Sequence, residues 1–177
     1  MRKRRKKEPS KYEKDAVIVD ATISRIDFIN MEIGDKYKSV FYCPSYLEPE
    51  GRMCVFWGMT NLEIGDTVQM KGRFNDGVFL VWSLIIIKKA SKQNVEVFET
   101  ERDFNKKFPG KLYVCPHCGS STTNPYTCTE CRYQITGFLH PDKVYAYKIG
   151  SGEVTKIFKP VEIFRESDEA QLQTQKS

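Results

Sequence analysis

Cys115, Cys118, Cys128 and Cys131 form two Cys-x-x-Cys pairs with nine residues between them, and no other feature restricts so tightly how this chain can fold. Four thiolates at that spacing close a tetrahedron around one metal ion, two from each of two facing knuckles. Gly119, just past the second sulfur, supplies the permissive backbone that a Cys-Pro-His-Cys-Gly bend needs. With cysteine in all four positions no coordination site is left for water, so a structural zinc ion is expected rather than a catalytic one. Binding energies on the order of 10–16 kcal/mol accompany such sites, which suits a stretch with few apolar side chains. Iron is the alternative, because four-sulfur geometry alone does not separate the two metals. A pair of disulfides is the competing reading, and two Cys-x-x-Cys pairs make an awkward framework for it. His117, inside the first knuckle, is read as facing solvent and His140 as a loop residue. Cys43 and Cys54 sit in apolar runs and are read as buried core.

Charge separates a tail from a body. Residues 1–14 carry eight Lys/Arg against Glu8 and Glu13, a net of +6, whereas the rest of the chain holds 20 of the 28 basic and 21 of the 23 acidic residues, a net of −1. Self-repulsion and the lack of apolar residues predict a disordered basic tail over 1–14. Arg2, Lys3, Arg4, Arg5, Lys6 and Lys7 are candidate polyanion contacts, with a nuclear address or simple solubilisation as alternatives. No apolar stretch follows that tail as a secretory signal would require. The longest apolar run, Val78–Ile87, is too short to span a bilayer and is interrupted by Trp82 and Ser83. An intracellular protein of the cytoplasm or nucleus, without membrane association, is therefore expected.

Between the tail and the cysteines, residues 15–90 read as strands. Val17, Val19, Ala21 and Ile23 recur with the period of two that one buried sheet face demands, and the phase slips near Arg25, which predicts a bulge in a long first strand. Tyr37–Cys43 and Arg52–Trp57 follow, the latter apolar on both faces. In Thr67–Phe74, Val68, Met70 and Phe74 alternate with Gln69, Lys71 and Arg73, and Asn75-Asp76-Gly77 turns the chain into Val78–Lys88. Five strands in this length fit a small closed barrel.

The segment Leu62-Glu63-Ile64-Gly65-Asp66-Thr67-Val68-Gln69-Met70-Lys71-Gly72, followed by Ile85–Ala90, resembles the fourth and fifth strands of an OB-fold. The class meant is the nucleic-acid-binding one found in replication protein A, archaeal single-strand binding proteins and tRNA anticodon-binding domains. Its Leu-x-x-Gly-Asp-x-Val-x-x-x-Gly pattern falls on Leu62, Gly65, Asp66, Val68 and Gly72. Only Gly58–Ile64 stands where that family often has a helix, so a loop, through Met59 and Leu62, is expected to plug the barrel. The runs Leu112–Cys118 and Tyr126–Cys131 resemble the zinc insertion of the large replication protein A subunit. The fold expected is thus all-β: an OB barrel over 15–90, a linker over 91–110 with a short helix at Val97–Lys107, and a zinc ribbon with a β-hairpin over 111–164. Strands are expected there at Tyr133–Leu139, Val144–Ile149 and Val154–Phe158, and a disordered end over 165–177.

The resemblance implies single-strand binding by cations that follow phosphates and rings that stack on bases. Lys71, Arg73 and Arg52 are the candidate cations; Tyr37, Phe41, Phe56, Trp57 and Trp82 are the candidate rings, each of which a small barrel can equally use as core. Neither a deaminase signature, nor a nucleophile–His–acid set, nor a phosphate-cradling loop is present, so no enzyme and no small-molecule substrate is expected. Single-stranded DNA in replication, repair or recombination is the leading expectation. An RNA-machine component, as in exosome cap proteins, and a protein-interaction subunit whose groove is covered by a partner are the alternatives.

Overall fold

The computed structural model describes residues 16–89, 93–149 and 153–163. The tails, including Arg2–Lys7 and 165–177, and the expected hairpin turn Gly150-Ser151-Gly152 lie outside the described residues. Within them the chain is mostly β, with one helix.

The first sheet holds β1 (Val17–Thr22), β2 (Arg25–Ile33), β3 (Lys36–Cys43), β4 (Arg52–Trp57), β5 (Thr67–Asn75) and β6 (Val78–Lys88), in the order β1-β5-β6-β4-β3-β2. Neighbours are antiparallel except β4 and β6, which run parallel. Six strands replace the five expected, and the sheet is not closed. The long first strand breaks at Ile23-Ser24 because these two residues bond in opposite directions. Ile23 donates to the Asp66 carbonyl (2.9 Å) and accepts from Gly65 N (2.7 Å), while Ser24 N donates to the Tyr42 carbonyl (2.8 Å). The two edges of the sheet are thus consecutive pieces of chain. The predicted phase slip near Arg25 appears as this break, followed by two register shifts within β2, the second of them spanning Asn30, which adopts φ 54°. The Asn30 side chain donates to the Thr60 carbonyl (2.7 Å) and accepts from Thr60 N (3.0 Å), so the bulge is tied to the loop before β5.

The Gly65-Asp66 turn has a specific role. Asp66 is fully buried, and its carboxylate accepts from Glu63 N (2.9 Å) and Lys89 Nζ (2.9 Å). Gly72 is required for contact rather than freedom: a Cβ there would lie 2.1 Å from the Leu80 carbonyl oxygen, at the register shift where β5 bends over β6.

The second sheet runs β7-β11-β12-β8-β9, from β7 (Gln93–Phe98), β8 (Tyr113–Val114), β9 (Ser121–Thr122), β11 (Val144–Ile149) and β12 (Glu153–Lys156). A short parallel pair joins β10 (Thr136–Gly137) to β13 (Glu162–Ile163). The predicted linker therefore contains a strand, and Val97 and Phe98 belong to it rather than to a helix. Helix α1 spans only Glu101–Lys107, capped by Thr100, whose side chain accepts from Asp103 N. It lays Phe104 against Phe98, Val144, Ala146 and Val154. Buried Lys156 fastens it: its Nζ donates to Glu101 Oε1 (2.8 Å) and sits 4.3 Å over the Tyr113 ring. Burial resists ionisation of Glu101, but Lys156, Tyr113 and Lys159 together outweigh it and hold that carboxyl below its ordinary range. The strand expected over Tyr133–Leu139 shrinks to β10, because its apolar residues pack in two directions.

One of them, Phe138, follows β10 and enters the core of the first sheet. It is 2% exposed and packs edge-on to Phe79 (5.5 Å between centroids) and Phe74 (5.8 Å), within the core of Val19, Ile23, Phe41, Val68 and Met70. Its carbonyl accepts from Tyr46 N (3.2 Å). The plug expected from the 58–64 loop is corrected in part: Leu62 is buried in that core, Met59 is 64% exposed, and the ring that fills the space is Phe138. Gly137 permits the approach, since a Cβ would lie 2.6 Å from the Asp20 carbonyl oxygen. Tyr147, from β11, hydrogen-bonds both Thr22 and Thr67 of the first sheet.

Candidate metal centre and outer face of the first sheet

The cysteine site is built by two knuckles of similar geometry. In the first, Cys115 N donates to the Ser120 carbonyl (2.9 Å) and Gly119 N to the Cys115 carbonyl (2.9 Å), with Gly119 at φ 77°. In the second, Cys128 N donates to the Tyr133 carbonyl (3.0 Å) and Arg132 N to the Cys128 carbonyl (2.9 Å). Arg132 stands at φ 61°, where the first knuckle uses glycine, and no sequence signal marked it. Together they bring the four sulfurs within 4.8 Å of one another. Cys115 and Cys131 are 3.6 Å apart and Cys118 and Cys128 3.5 Å. Bonds of about 2.3 Å from a central ion to four tetrahedral sulfurs require edges of about 3.8 Å, so the donor set fits such an ion. A disulfide needs about 2.05 Å, and all six cysteines are free thiols. Cys115 and Cys128 are buried, whereas Cys118 and Cys131 face solvent. Hydrogen bonds from Ser120 pull the Cys118 thiol down to about 6, while burial pushes Cys115 up to about 12. A bound cation would favour the thiolate at every one of them.

His117 is no ligand here. Its ring stacks on Tyr133 (5.5 Å, 13°), and the Tyr133 hydroxyl donates to Asp20 on β1. The cysteine knuckles are thereby connected to the first sheet through two side chains. Burial pushes the Asp20 carboxyl above its ordinary range, with hydrogen bonds from Tyr133 and Gln69 opposing. His140 is a loop residue whose Nδ1 accepts from Asp142 N (3.0 Å). Cys43 and Cys54 are fully buried in the first sheet's core, their sulfurs 4.0 Å apart.

The candidate binding residues divide by strand phase. Arg52, Cys54 and Phe56 share one phase of β4, and Tyr37, Ser39, Phe41 and Cys43 one phase of β3; both phases face the core. Phe41 is fully buried, Phe56 packs partly buried against the same core, and Tyr37 is half-buried at the strand's end. Arg52 is 1% exposed, donates to the Gly77 carbonyl (2.9 Å), pairs with Glu48 (3.0 Å) and lies over Phe74 (5.1 Å). As surface contacts, Arg52 and Phe41 are corrected: the apolar-on-both-faces β4 turned this phase inward.

The other phase forms the outer face, and three rows cross it. One runs Met31, Lys38, Trp57, with Lys38 Nζ 5.3 Å over the indole. Trp82 continues it, one step beyond the register that pairs Phe56 with Val81, and Lys71 stands exposed on adjoining β5. The next row runs Phe28, Val40, Val55, Leu80, Arg73, and the third Arg25, Tyr42, Met53, Val78, Asn75. Val40, Tyr42 and Val55 form a second apolar cluster with Phe28, Met53, Val78 and Leu80. The Arg25 guanidinium lies over the Tyr42 ring (3.7 Å) and is held by Asp27 (3.5 Å), which also accepts from the Tyr42 hydroxyl (3.1 Å). Of the residues picked from sequence, this face brings together Trp57, Trp82, Lys71 and Arg73. It adds Lys38 and Tyr42, which period-two alternation within β3 would have revealed once the phase of Trp57 was known, and Arg25 and Phe28 of β2, which the register shifts of that strand hid.

No helix among the described residues is long and apolar enough to cross a membrane. Comparisons with protein-family models, curated proteins and solved structures found no match for the chain.

Proposed function

We propose that the chain binds single-stranded nucleic acid, most directly DNA during replication, repair or recombination, across the outer face of the first sheet. The carrying observation is the set of three rows that gathers exposed Trp57 and Trp82, with half-buried Phe28, among Lys38, Lys71, Arg73 and Arg25. Rings for bases interleaved with cations for phosphates are what sequence-tolerant single-strand binding needs. Support for an OB-type barrel comes from topology. Counting β1 and β2 as one bent strand, the order becomes first-fourth-fifth-third-second-first, with the parallel pair between third and fifth. In this reading the four cysteines hold a structural zinc, the second sheet with its knuckles is the ribbon module, and the basic tail over 1–14 adds non-specific affinity in the cytoplasm or nucleus.

Titrating the tryptophan fluorescence with single-stranded DNA, single-stranded RNA and duplex tests this directly, because both tryptophans of the chain lie on the proposed face. Quenching by single strands but not duplex is expected. It should survive deletion of residues 1–14, with a salt slope of about −2 if Lys38, Lys71 and Arg73 neutralise phosphates. Preference for RNA would move the protein to an RNA machine. The exposed apolar side chains of the first row (Met31, Trp57, Trp82) favour the other reading, a protein partner covering them. Absence of binding by any nucleic acid, with a polypeptide protecting Trp57, would establish that reading instead.

A further inference from the structure

The outer face does not end at Arg25. Beyond it opens a groove of about 510 Å³ between the two sheets, in the size range of small-ligand pockets. One wall is the start of β2 with the loop between β3 and β4, including Tyr46; the other is Val97 of β7, with Lys143 and Tyr145 at the start of β11. Arg25 belongs to both surfaces: it ends the third row and lines the groove. Its guanidinium is already immobilised, with Tyr42 beneath at 3.7 Å and Asp27 beside it at 3.5 Å, while nearly half of the side chain remains exposed. A planar cation fixed on one side by a ring presents its other side as a stacking surface for a base. Glu50 and Glu99 also line the groove, and Lys143 is engaged by Glu99 at 3.6 Å. Near-balanced charge disfavours a buried phosphate, so the space suits a base whose backbone stays outside.

We infer that this groove takes one unstacked base of the bound strand, seated on Arg25, so that the strand leaves the first sheet and passes between the two sheets. The inference rests on the single-strand reading above and adds the second sheet to the site. Four variants test it against a fluorescein-labelled oligodeoxynucleotide of about 12 nucleotides: Trp57→Ala, Arg25→Ala, Arg25→Lys and Val97→Glu, each checked for an unchanged urea midpoint. Arg25→Ala should weaken binding about 5- to 150-fold, the loss of one stack. Arg25→Lys should fall nearly as far, because lysine keeps the charge and loses the plane. Val97→Glu, which narrows the groove from the second sheet, should also weaken binding about 5-fold or more. If Trp57→Ala weakens binding while Arg25→Lys and Val97→Glu match the wild type, the groove is not part of the site and the face reading stands. Failure of the wild type to bind would remove both.

Discussion

Replacing Phe138 by alanine is the sharpest test of how this molecule is held together, since the residue belongs by sequence to the cysteine region and by packing to the first sheet. Its ring is 2% exposed, meets Phe74 and Phe79 edge-on at 5.8 and 5.5 Å, and lies 6.0 Å from the Arg52 guanidinium carbon. Removing a buried phenyl group costs about 3–5 kcal/mol in transfer and cavity terms. Arg52 makes the upper half of that range the expectation. It bridges the Gly77 carbonyl and Glu48, and without the ring beside it a buried charge faces an empty space. Urea unfolding followed by tryptophan emission is the assay, because Trp57 and Trp82 both belong to the first sheet. With a denaturant slope of about 2 kcal/mol/M, the midpoint should fall by about 2 M. Phe104→Ala, in the core beneath α1, is the control: it should destabilise the second sheet comparably and shift the tryptophan transition less. A tryptophan midpoint in Phe138→Ala within about 0.25 M of wild type, about 0.5 kcal/mol, would refute the claim that the segment after β10 completes the first sheet's core.

Leu62→Ala should cost about 2–5 kcal/mol and Met59→Ala less than about 0.5 kcal/mol in the same assay, because only the former side chain is buried. Asp20→Asn should be more stable than wild type at neutral pH. Burial raises the Asp20 pKa on folding, so its protonated form stabilises below the unfolded value near 3.8 and that contribution is lost as pH rises through the folded value. Thermal melts from pH 3 to 8 should show the two proteins converging as pH falls, and a constant gap would contradict this. Glu101→Gln works with the opposite sign: the Glu101 pKa is lowered, so its pairing with Lys156 stabilises above the unfolded value near 4.5 and fades as pH drops through the folded one. Loading with cobalt(II) should give thiolate-to-metal absorption that Cys115→Ser and Cys128→Ser abolish, and a chelator should release the 111–163 region from protection against proteolysis.

The local elements were largely legible. Alternation of Val68 and Met70 with Lys71 placed β5 and its two faces, Asn75-Asp76-Gly77 placed the turn, and the cysteine spacing placed the knuckles. The β7 signal was present in Val95-Glu96-Val97 and was obscured by the phenylalanines that follow, which α1 and the strand share. The inward phase of β4 was not readable, because Met53 and Val55 are as apolar as Cys54 and Phe56, and periodicity cannot choose between two greasy faces.

Sequence alone determined strands β3 to β6, the Asn75-Asp76-Gly77 turn and the four-sulfur donor set, since each depends on residues close to one another along the chain. Tertiary structure alone decided that Arg52 and Phe41 point inward, that Arg25 lies over Tyr42, and that Phe138 reaches from the cysteine region into the first sheet's core. Those outcomes join residues tens of positions apart. Nothing in a local pattern encodes them; they follow from which surfaces the chain must remove from water once every strand has found its neighbour.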